Sequence, residues 1–208
     1  GATLMVVGIA PGDDEVFRGE PFVGPSGKLL QEDMNDAGLP LSATYKTNVF
    51  KYKLPDNEFA RYKEIGLSLP DAMDDLRAEI DAINPNCILG LGDPVLFSLA
   101  GKSGKGNGIN LWRGSILNVL GGRKAVFTWH PAAELHGGGE GTFKAWQKYV
   151  RKFDIKRAVE QSSFPEIRTP YRHLTIAESS RDVLDFIDTY SDRQSYPYCA
   201  VDIEAIEH

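Results

Sequence analysis

The sequence predicts an α/β fold of three layers, with helices on both sides of a central parallel sheet. Short apolar segments with strand character alternate with longer segments in which apolar residues recur every three or four positions. The strand segments are apolar throughout, as expected of parallel strands that are covered on both faces. With 208 residues, 42% hydrophobic and 25% charged, the chain can form one large domain, or one ordinary domain plus part of another.

Five strands and four helices follow from this pattern. The strands are predicted at 3–9, 45–50, 87–92, 115–120 and 124–129, and the helices at 25–39, 69–83, 94–101 and 141–161. The helix at 69–83 begins at Pro70 and Asp71, a typical helix start, and carries apolar residues at spacings of three and four. In the last helix, Phe143, Trp146, Val150 and Phe153 fall on one side. We therefore expect residues 1–161 to form the main domain.

The remaining segments predict a linker followed by an incomplete α/β segment. Residues 162–170 contain two prolines and two serines, which is typical of a linker. Residues 171–208 predict a strand at 173–176, a helix capped near Ser179 and Ser180, and a second strand that ends at Glu204. Two interpretations are open: the start of a second domain, or a C-terminal arm that packs on the first domain.

Composition limits the cellular setting. Two isolated cysteines predict neither a disulfide framework nor a metal site, which favours a reducing cytoplasm, or a host cytoplasm if the protein is viral. No apolar run reaches the ~20 residues that a membrane helix needs, so we expect no membrane partner. The first apolar segment is predicted to be a core strand rather than a signal peptide. The net charge of −6 neither supports nor excludes nucleic acid.

Three predicted strands end in unusual turns. Residues 8–12 form a glycine- and proline-rich turn that lets the backbone approach a ligand closely. Asn48 ends the second strand with an amide, which offers both an acceptor and donors. His130 follows the fifth strand and is held before Pro131 in extended geometry. Because ligands of open parallel sheets bind beyond the carboxyl ends of the strands, these turns predict a shared pocket.

Five segments together resemble the uracil-DNA glycosylase superfamily, and family 4 within it. The resemblance covers residues 3 to about 160, and its most specific motifs are GxPFVGxxGxLL and TNxxK. The segments are GIAPGDDE…GEPFVGPSGKLL, TNVFKYKLPDN, ILGLG, LWRG and HPAAEL. The resemblance implies a partner, DNA, and a target base that leaves the stack and enters a protein pocket.

The resemblance also implies roles for individual residues. Phe22 would stack on the extruded base, Asn48 would pair with N3–H and O4 of uracil, and His130 would hydrogen-bond O2. Glu15, or Asp13 or Asp14 beside it, would orient water or stabilise the cationic sugar. A structural interpretation stays open for each: Phe22 as core, Asn48 as a strand-end cap, and the acids as the solvated start of a helix.

Small residues would complete the base site, and a second set would contact DNA. Gly8, Ala10 and Gly12 would line the base pocket. In the resembled family a loop after the histidine fills the space of the extruded base, and Leu135 is the candidate. The candidate phosphate contacts on the last helix are Lys144, Lys148 and Arg151. A flexible surface loop and a solvated charged face are the alternatives.

The sequence departs from the family pattern in three ways. Four cysteines hold an iron–sulfur cluster in family 4, but the helix at 69–83 has no cysteine, so we expect no cluster and no other cofactor. Ile9 replaces a glutamate, and Ala10 stands where other members place a catalytic aspartate or asparagine. Gly12 occupies a position where some relatives have a tyrosine that excludes thymine, which suggests tolerance of 5-substituted uracils.

The C-terminal segment resembles the entry to the proofreading exonuclease domain of family A DNA polymerases. In that family Asp202 and Glu204 would hold divalent metals, but the other carboxylates of such a site are missing from residues 171–208. The resemblance implies covalently linked polymerase domains, of phage type. Three hypotheses follow for the main domain: a glycosylase, a module that binds uracil-type bases without cutting, or a scaffold that has lost both roles.

Overall fold

The computed structural model describes residues 1–135, 146–168 and 179–190. The chain forms two compact units, Gly1–Ile167 and Arg168–His208. The first unit therefore continues past the predicted boundary at residue 161. Within the described ranges, no helix has the length and apolar character needed to cross a membrane.

A five-stranded sheet forms the centre of the first unit. Its strands are β1 (Leu4–Gly8), β2 (Tyr45–Asn48), β3 (Cys87–Leu91), β4 (Ile116–Val119) and β5 (Arg123–Thr128), and their order across the sheet is β2-β1-β3-β5-β4. Strands β2, β1, β3 and β5 are parallel, so that their carboxyl ends meet at one edge. Every residue of β1 and β3 is buried, as their continuous apolar sequences predict.

Strand β4 differs from the prediction because it runs antiparallel to β5. Only three residues, Leu120, Gly121 and Gly122, join the two strands, and all three have positive φ angles. A connection this short can join only antiparallel neighbours, because parallel strands need a crossover of a dozen or more residues. The sheet is therefore mostly parallel, with one antiparallel edge strand.

Helices cover both faces of the sheet and confirm the three-layer prediction. Among the described residues, the helices of the first unit are α1 (Asp13–Arg18), α2 (Pro25–Asp36), α3 (Leu69–Ile83), α4 (Asp93–Ala100), α5 (Ile109–Trp112), α6 (Ala132–Leu135) and α7 (Gln147–Gln161), and the second unit contains α8 (Ser180–Tyr190). The described 3₁₀ segments lie at Leu41–Ala43, Pro55–Asn57 and Phe59–Ile65. Helices α3 and α4 share one apolar core with the sheet. Helices α2 and α7 share a second core on the opposite face.

Helix α3 shows how local sequence sets these elements. Ser68 caps its N-terminus by accepting the backbone N–H of Asp71, and Pro70 occupies the first turn, where its missing N–H costs nothing. Asn84 ends the helix in the left-handed conformation. The buried residues Met73, Leu76 and Ile80 recur at three and four positions, and they face the sheet.

Helix α7 packs through a different side from the one that carries its aromatic residues. Its buried residues are Arg151, Asp154, Ile155 and Ala158. Trp146, just before the helix, is 53% exposed, and Phe153 is 74% exposed. Trp146 and Phe153 therefore face solvent, Val150 is half-buried, and Phe143 lies outside the described residues. Ion pairs of buried residues attach the opposite side of the helix to the rest of the unit.

Ion pairs of two buried α7 residues, Arg151 and Asp154, join the helix to the domain. Arg151 is 1% exposed, and its Nε donates to Asp33 of α2 at 2.6 Å, while Nη2 donates to Glu134 of α6 at 2.8 Å. Asp154 accepts both arms of Arg113, at 2.8 and 2.5 Å. Burial raises the pKa of the Asp33 and Asp154 carboxyls, although the guanidinium partner of each acts in the opposite direction.

The segment after α7 remains attached to the sheet. Lys124 of β5 is buried, and its Nζ donates to the carbonyl oxygens of Phe164 and Glu166 at 2.7 and 2.9 Å. Asn86 donates to the carbonyl oxygen of Ser162 at 2.8 Å. The first part of the predicted linker, up to Glu166, is therefore bonded to the first unit.

In the second unit, the structure describes helix α8. Ser179 caps it reciprocally with Asp182: the Ser179 backbone N–H donates to the carboxylate at 2.8 Å, and the Asp182 N–H donates to the Ser179 hydroxyl at 3.3 Å. This is the helix start that the sequence predicts. The predicted strands at 173–176 and before Glu204, together with Asp202 and Glu204 themselves, lie outside the described residues.

The Asp33→Ala substitution is expected to destabilise the first unit strongly. It removes a carboxylate that faces the buried guanidinium of Arg151, and breaking a buried pair in this way costs about 3–5 kcal/mol. Urea unfolding measures the difference. The matched control is Asp36→Ala, which removes the more exposed ion pair with Lys152 and should cost less than ~1 kcal/mol. Equal losses for the two variants would contradict the structural role of Asp33.

Candidate functional site

A cavity of about 530 Å³ lies at the edge where the parallel strands end. Phe22, Asn48 and His130 all line it, although they come from three distant parts of the chain. Ile9 and Ala10 also line the cavity, and Ile9 forms part of its wall without closing it. The structure therefore brings together the ring, the amide and the imidazole that the sequence analysis selected.

Phe22 is held in an unusual backbone conformation. Its φ angle is +61°, which is rare for a bulky residue, and its side chain is 7% exposed. The carboxylate of Glu15 accepts the Phe22 N–H at 2.7 Å through Oε1 and the Gly12 N–H at 2.8 Å through Oε2. Glu15 thus connects the turn after β1 to the residue whose ring lines the cavity.

A glycine makes this position of Phe22 sterically possible. A Cβ atom built on Gly27 would lie 1.9 Å from the Phe22 carbonyl oxygen, so that any other residue would displace the backbone. Gly27 is the second glycine of the VGPSG segment and precedes the buried Leu30 by three residues. Sequence reasoning used this glycine only as part of a motif and missed its steric role.

Asn48 lies against the end of β1. A Cβ on Gly8 would lie 2.3 Å from Asn48 Oδ1 and 3.1 Å from the Phe22 ring, so Gly8 allows both side chains to approach the strand. Asn48 is 6% exposed. Among the described residues, its side-chain amide forms no hydrogen bond, and neither amide atom is fully buried, so the amide can be reached from the cavity. An amide in this state, on a cavity wall, can pair with a bound ligand.

Lys51 fixes the backbone of Asn48. Its Nζ donates to the Asn48 carbonyl oxygen at 2.8 Å and to the Thr47 hydroxyl at 2.7 Å, and it forms an ion pair with Glu79 at 2.7 Å. Thr47 in turn donates to Glu79 at 2.7 Å. The TNxxK spacing therefore has a structural explanation: the lysine four residues after the threonine holds the strand end in place.

His130 is a neutral donor at physiological pH. Its Nδ1 accepts the backbone N–H of Ala132 at 3.1 Å, so the neutral ring carries its proton on Nε2. Burial, and then the positive charge of Arg151, lowers the pKa of His130 to about 4. The imidazole can therefore donate a hydrogen bond into the cavity without carrying a positive charge.

The three acids of α1 line the cavity in different ways. Asp13 is exposed and forms an ion pair with Lys53. Both carboxylate oxygens of Glu15 accept backbone N–H groups. Among the described residues, the carboxylate of Asp14 forms neither an ion pair nor a hydrogen bond, and it lies close to Gly24. Gly12 has open space where a side chain would begin.

The candidate DNA contacts have mixed outcomes. Leu135 ends the short helix α6 and is 48% exposed, and Lys148 lies over the ring of Tyr149 at 5.1 Å. Lys144 lies outside the described residues. Arg151 was predicted to contact phosphate, but this prediction is wrong, because its side chain is 2% exposed and forms ion pairs with Asp33 and Glu134.

The described residues do not fit an iron–sulfur cluster. Within the described ranges, no group of three or more histidine, cysteine or carboxylate side chains is arranged to hold a metal. Cys87 is buried in β3, where burial raises the pKa of its thiol to about 12.

Comparison with known proteins gives concordant matches. Over 129 residues the chain is 34% identical to the Type-4 uracil-DNA glycosylase of Thermotoga maritima, covering 62% of this chain and 64% of that protein. Over 146 residues it is 33% identical to the enzyme of the same name from Archaeoglobus fulgidus, covering 65% of this chain and 68% of the relative. The chain thus spans about two thirds of the length of these curated relatives.

A further match extends over the whole chain. The DNA polymerase of Bacillus phage SP01 is 27% identical over 213 residues, which cover 99% of this chain but 21% of the polymerase.

Residues 1–154 match the Uracil DNA glycosylase superfamily, and this range contains β1 to β5 and every residue of the cavity wall named above. The chain therefore belongs to the uracil-DNA glycosylase superfamily.

Proposed function

We propose that this chain binds uracil-type bases extruded from DNA and hydrolyses their N-glycosidic bond. The observation that carries the proposal is the side-chain amide of Asn48, which has no hydrogen bond among the described residues and lines one cavity with Phe22 and His130. The Type-4 uracil-DNA glycosylase relatives support this chemistry.

Base recognition would use all three side chains. The Phe22 ring offers an apolar face on which a pyrimidine can stack. The Asn48 amide offers an acceptor for N3–H and a donor for O4 of uracil. Cytosine presents the opposite arrangement at these two atoms, so this orientation of the amide favours uracil.

His130 would act on the leaving group. As the bond between C1′ and N1 breaks, its electron pair moves to the base, and negative charge gathers on N1 and O2. The neutral imidazole carries its proton on Nε2 and can donate it in a hydrogen bond to O2, which stabilises the negative charge there. The expected contribution of such a donor is about 10²–10³-fold in kcat.

The nucleophile is water, whose oxygen forms the new bond to C1′ and whose proton passes to a carboxylate or to solvent. We assign the orienting carboxylate to Asp14, because Asp13 pairs with Lys53 and Glu15 holds two backbone N–H groups. Asp14 lines the cavity and would also stabilise positive charge on the sugar. Glu15 would act as a positioning residue for Phe22. The proposed hydrolysis uses only side chains of this chain and water.

Two departures from the family pattern shape the proposed activity. Ile9 lines the cavity where the family has a glutamate, so no proton acceptor is present at that point. This observation favours the second candidate function, a module that binds uracil-type bases without cutting. The open space at Gly12 would admit a substituent at C5 of the base.

A polymerase context, with covalently linked domains, is supported by the phage polymerase match.

Incubation with uracil-containing oligonucleotides followed by alkali distinguishes the two candidates. We expect alkali-labile breaks at uracil, reduced about 10²-fold or more in the His130→Ala variant. Matched oligonucleotides with thymine or 5-hydroxymethyluracil test the space at Gly12. Uracil-dependent retention of the oligonucleotide without breaks would reject catalysis and establish the binding module instead.

A pair of isosteric substitutions separates the two acids. Asp14→Asn should lower kcat and leave the unfolding midpoint unchanged, because the exposed carboxylate has no partner within the described structure. Glu15→Gln should lower stability by about 1–3 kcal/mol, because an amide presents a donor to one of the two backbone N–H groups. Single-turnover kinetics and thermal unfolding measure both effects. A stable Glu15→Gln protein that lacks activity would reverse the assignment.

The lowered pKa of His130 predicts how the stability of the fold depends on pH. Its folded pKa, about 4, lies below the unfolded value of ~6.5, so the neutral form is stabilised by folding. Stability that is present above pH ~6.5 should therefore fall as the pH drops from 6.5 to 4. NMR of ¹⁵N-labelled imidazole should show Nε2–H throughout this range. Titration of His130 near pH 6.5 would contradict it, and His130→Asn serves as the assignment control.

A further inference from the structure

The exposed side of α7 carries an unusual set of large aromatic residues. We call Trp146, Tyr149 and Phe153 the aromatic face; they are 53%, 59% and 74% exposed. Single exposed apolar residues are common, but neighbouring ones mark an interaction surface. These three residues do not belong to the cavity described above, and the proposed hydrolysis does not use them.

The spacing of the aromatic face follows the helix. Positions three and seven residues after Trp146 lie on the same side of a helix, about one and two turns along its axis. From Trp146 to Phe153 the rise is ~10 Å. The opposite side is fixed by the buried Arg151 and Asp154, so α7 cannot rotate the aromatic face inward without breaking both ion pairs.

The aromatic face begins beside the base cavity. The ring of Trp146 packs edge-on against Trp129 at a centroid distance of 6.0 Å and an interplanar angle of 74°. Trp129 immediately precedes His130, which lines the cavity. The guanidinium carbon of Arg113 lies 5.0 Å from the centre of the Trp129 ring. Aromatic and basic groups are thus continuous from the end of β5 to the exposed side of α7.

Basic residues accompany the aromatic face. The Nζ of Lys148 lies 5.1 Å from the centre of the Tyr149 ring. Helical spacing places Lys156 and Arg157 on the exposed side with Phe153, and both are exposed. Arg157 Nη1 also donates to the carbonyl oxygen of Gly114 at 2.8 Å. By the same spacing, the exposed acid of this helix, Glu160, lies on the side of Phe153, seven residues further along. Aromatic rings between positive charges are the arrangement with which proteins bind single-stranded nucleic acid, since bases stack on the rings and phosphates pair with the charges.

We propose that the aromatic face binds unpaired nucleotides of the DNA strand, adjacent to the nucleotide whose base enters the cavity. The inference rests on the proposed function for its choice of DNA as partner. A length of ~10 Å corresponds to about three nucleotides at ~3.4 Å per nucleotide. An apolar protein partner would have to bury the neighbouring lysines, whereas a DNA strand pairs with them. The strand therefore fits both components of the surface.

The test measures binding of DNA that contains no uracil, so it does not depend on base removal. Fluorescence anisotropy compares the unchanged protein with the double variant Tyr149→Ser/Phe153→Ser on a labelled single strand of mixed sequence, and on its duplex. We expect the affinity of the double variant to fall about fivefold or more for the single strand, and less for the duplex. Its salt dependence should be unchanged, because the two substitutions remove no basic side chain.

Two controls isolate the effect. Ile65→Ser/Phe97→Ser removes exposed apolar side chains that belong to the α3 and α4 side of the sheet, and it should leave affinity within twofold. Lys148→Gln/Lys156→Gln should lower the slope of log K against log salt concentration by about 0.7 for each phosphate that is no longer neutralised. Thermal unfolding of every variant checks that the fold is retained.

Each outcome decides the inference. Unchanged single-strand affinity in the aromatic variant overturns it, as does an equal loss in the Ile65→Ser/Phe97→Ser control. Light scattering that shows a dimer, converted to a monomer by the aromatic variant, assigns the face to a second copy of the chain and also overturns it. Uracil removal without any role for the aromatic face rejects only this inference. Stacking without uracil removal rejects only the proposed hydrolysis.

Discussion

The contact on which the candidate site depends is the carboxylate of Glu15 with the backbone N–H groups of Gly12 and Phe22. Phe22 has a positive φ angle, a conformation that costs about 1–3 kcal/mol when it is adopted by a bulky residue. Hydrogen bonds to a charged acceptor contribute about 1.5–3 kcal/mol each and can offset that cost. The missing Cβ atoms of Gly8 and Gly27 provide the space in which this conformation fits. Loss of the Glu15 carboxylate, or a side chain at Gly8 or Gly27, would move the Phe22 ring from the cavity wall.

The second constraint is the set of buried charges that attaches α7. Arg151 connects α7 to α2 and α6, and Arg113 connects the end of α5 to α7 through Asp154. Thr128 of β5 also donates to Asp154, at 2.7 Å. These pairs place a charged side of the helix against the domain and leave its aromatic side in solvent. The orientation of the aromatic face is therefore a consequence of polar contacts over long sequence separations.

Much of the fold could be predicted from local sequence. The continuous apolar strands indicated the parallel sheet, and Pro70 with Asp71 indicated the start of α3, because both signals depend on nearby residues. The orientation of α7 could not be predicted this way. Periodicity locates an apolar side but does not show that Arg151 pairs with Asp33, which is 118 residues away. The reversal of β4 did have a local signal, the short turn at Gly121 and Gly122.

The candidate site was predictable to a similar extent. Phe22, Asn48 and His130 follow strands or motifs whose ends must share one edge of the sheet, and the structure brings all three to one cavity. The distinct states of Asp13, Asp14 and Glu15 were not predictable, because they depend on partners such as Lys53 and on the bend of the following loop.

The neutral state of His130 has a consequence for the choice between pyrimidines. Uracil and cytosine carry the same carbonyl oxygen at position 2, and a donor at Nε2 treats the two alike. In the proposed recognition, discrimination between them would therefore depend on Asn48, whose carbonyl and amino ends exchange places when the amide group turns by half a revolution. Among the described residues no hydrogen bond fixes that orientation. Rotation about the single bond to the Asn48 amide would thus decide whether this side chain pairs with uracil or with cytosine.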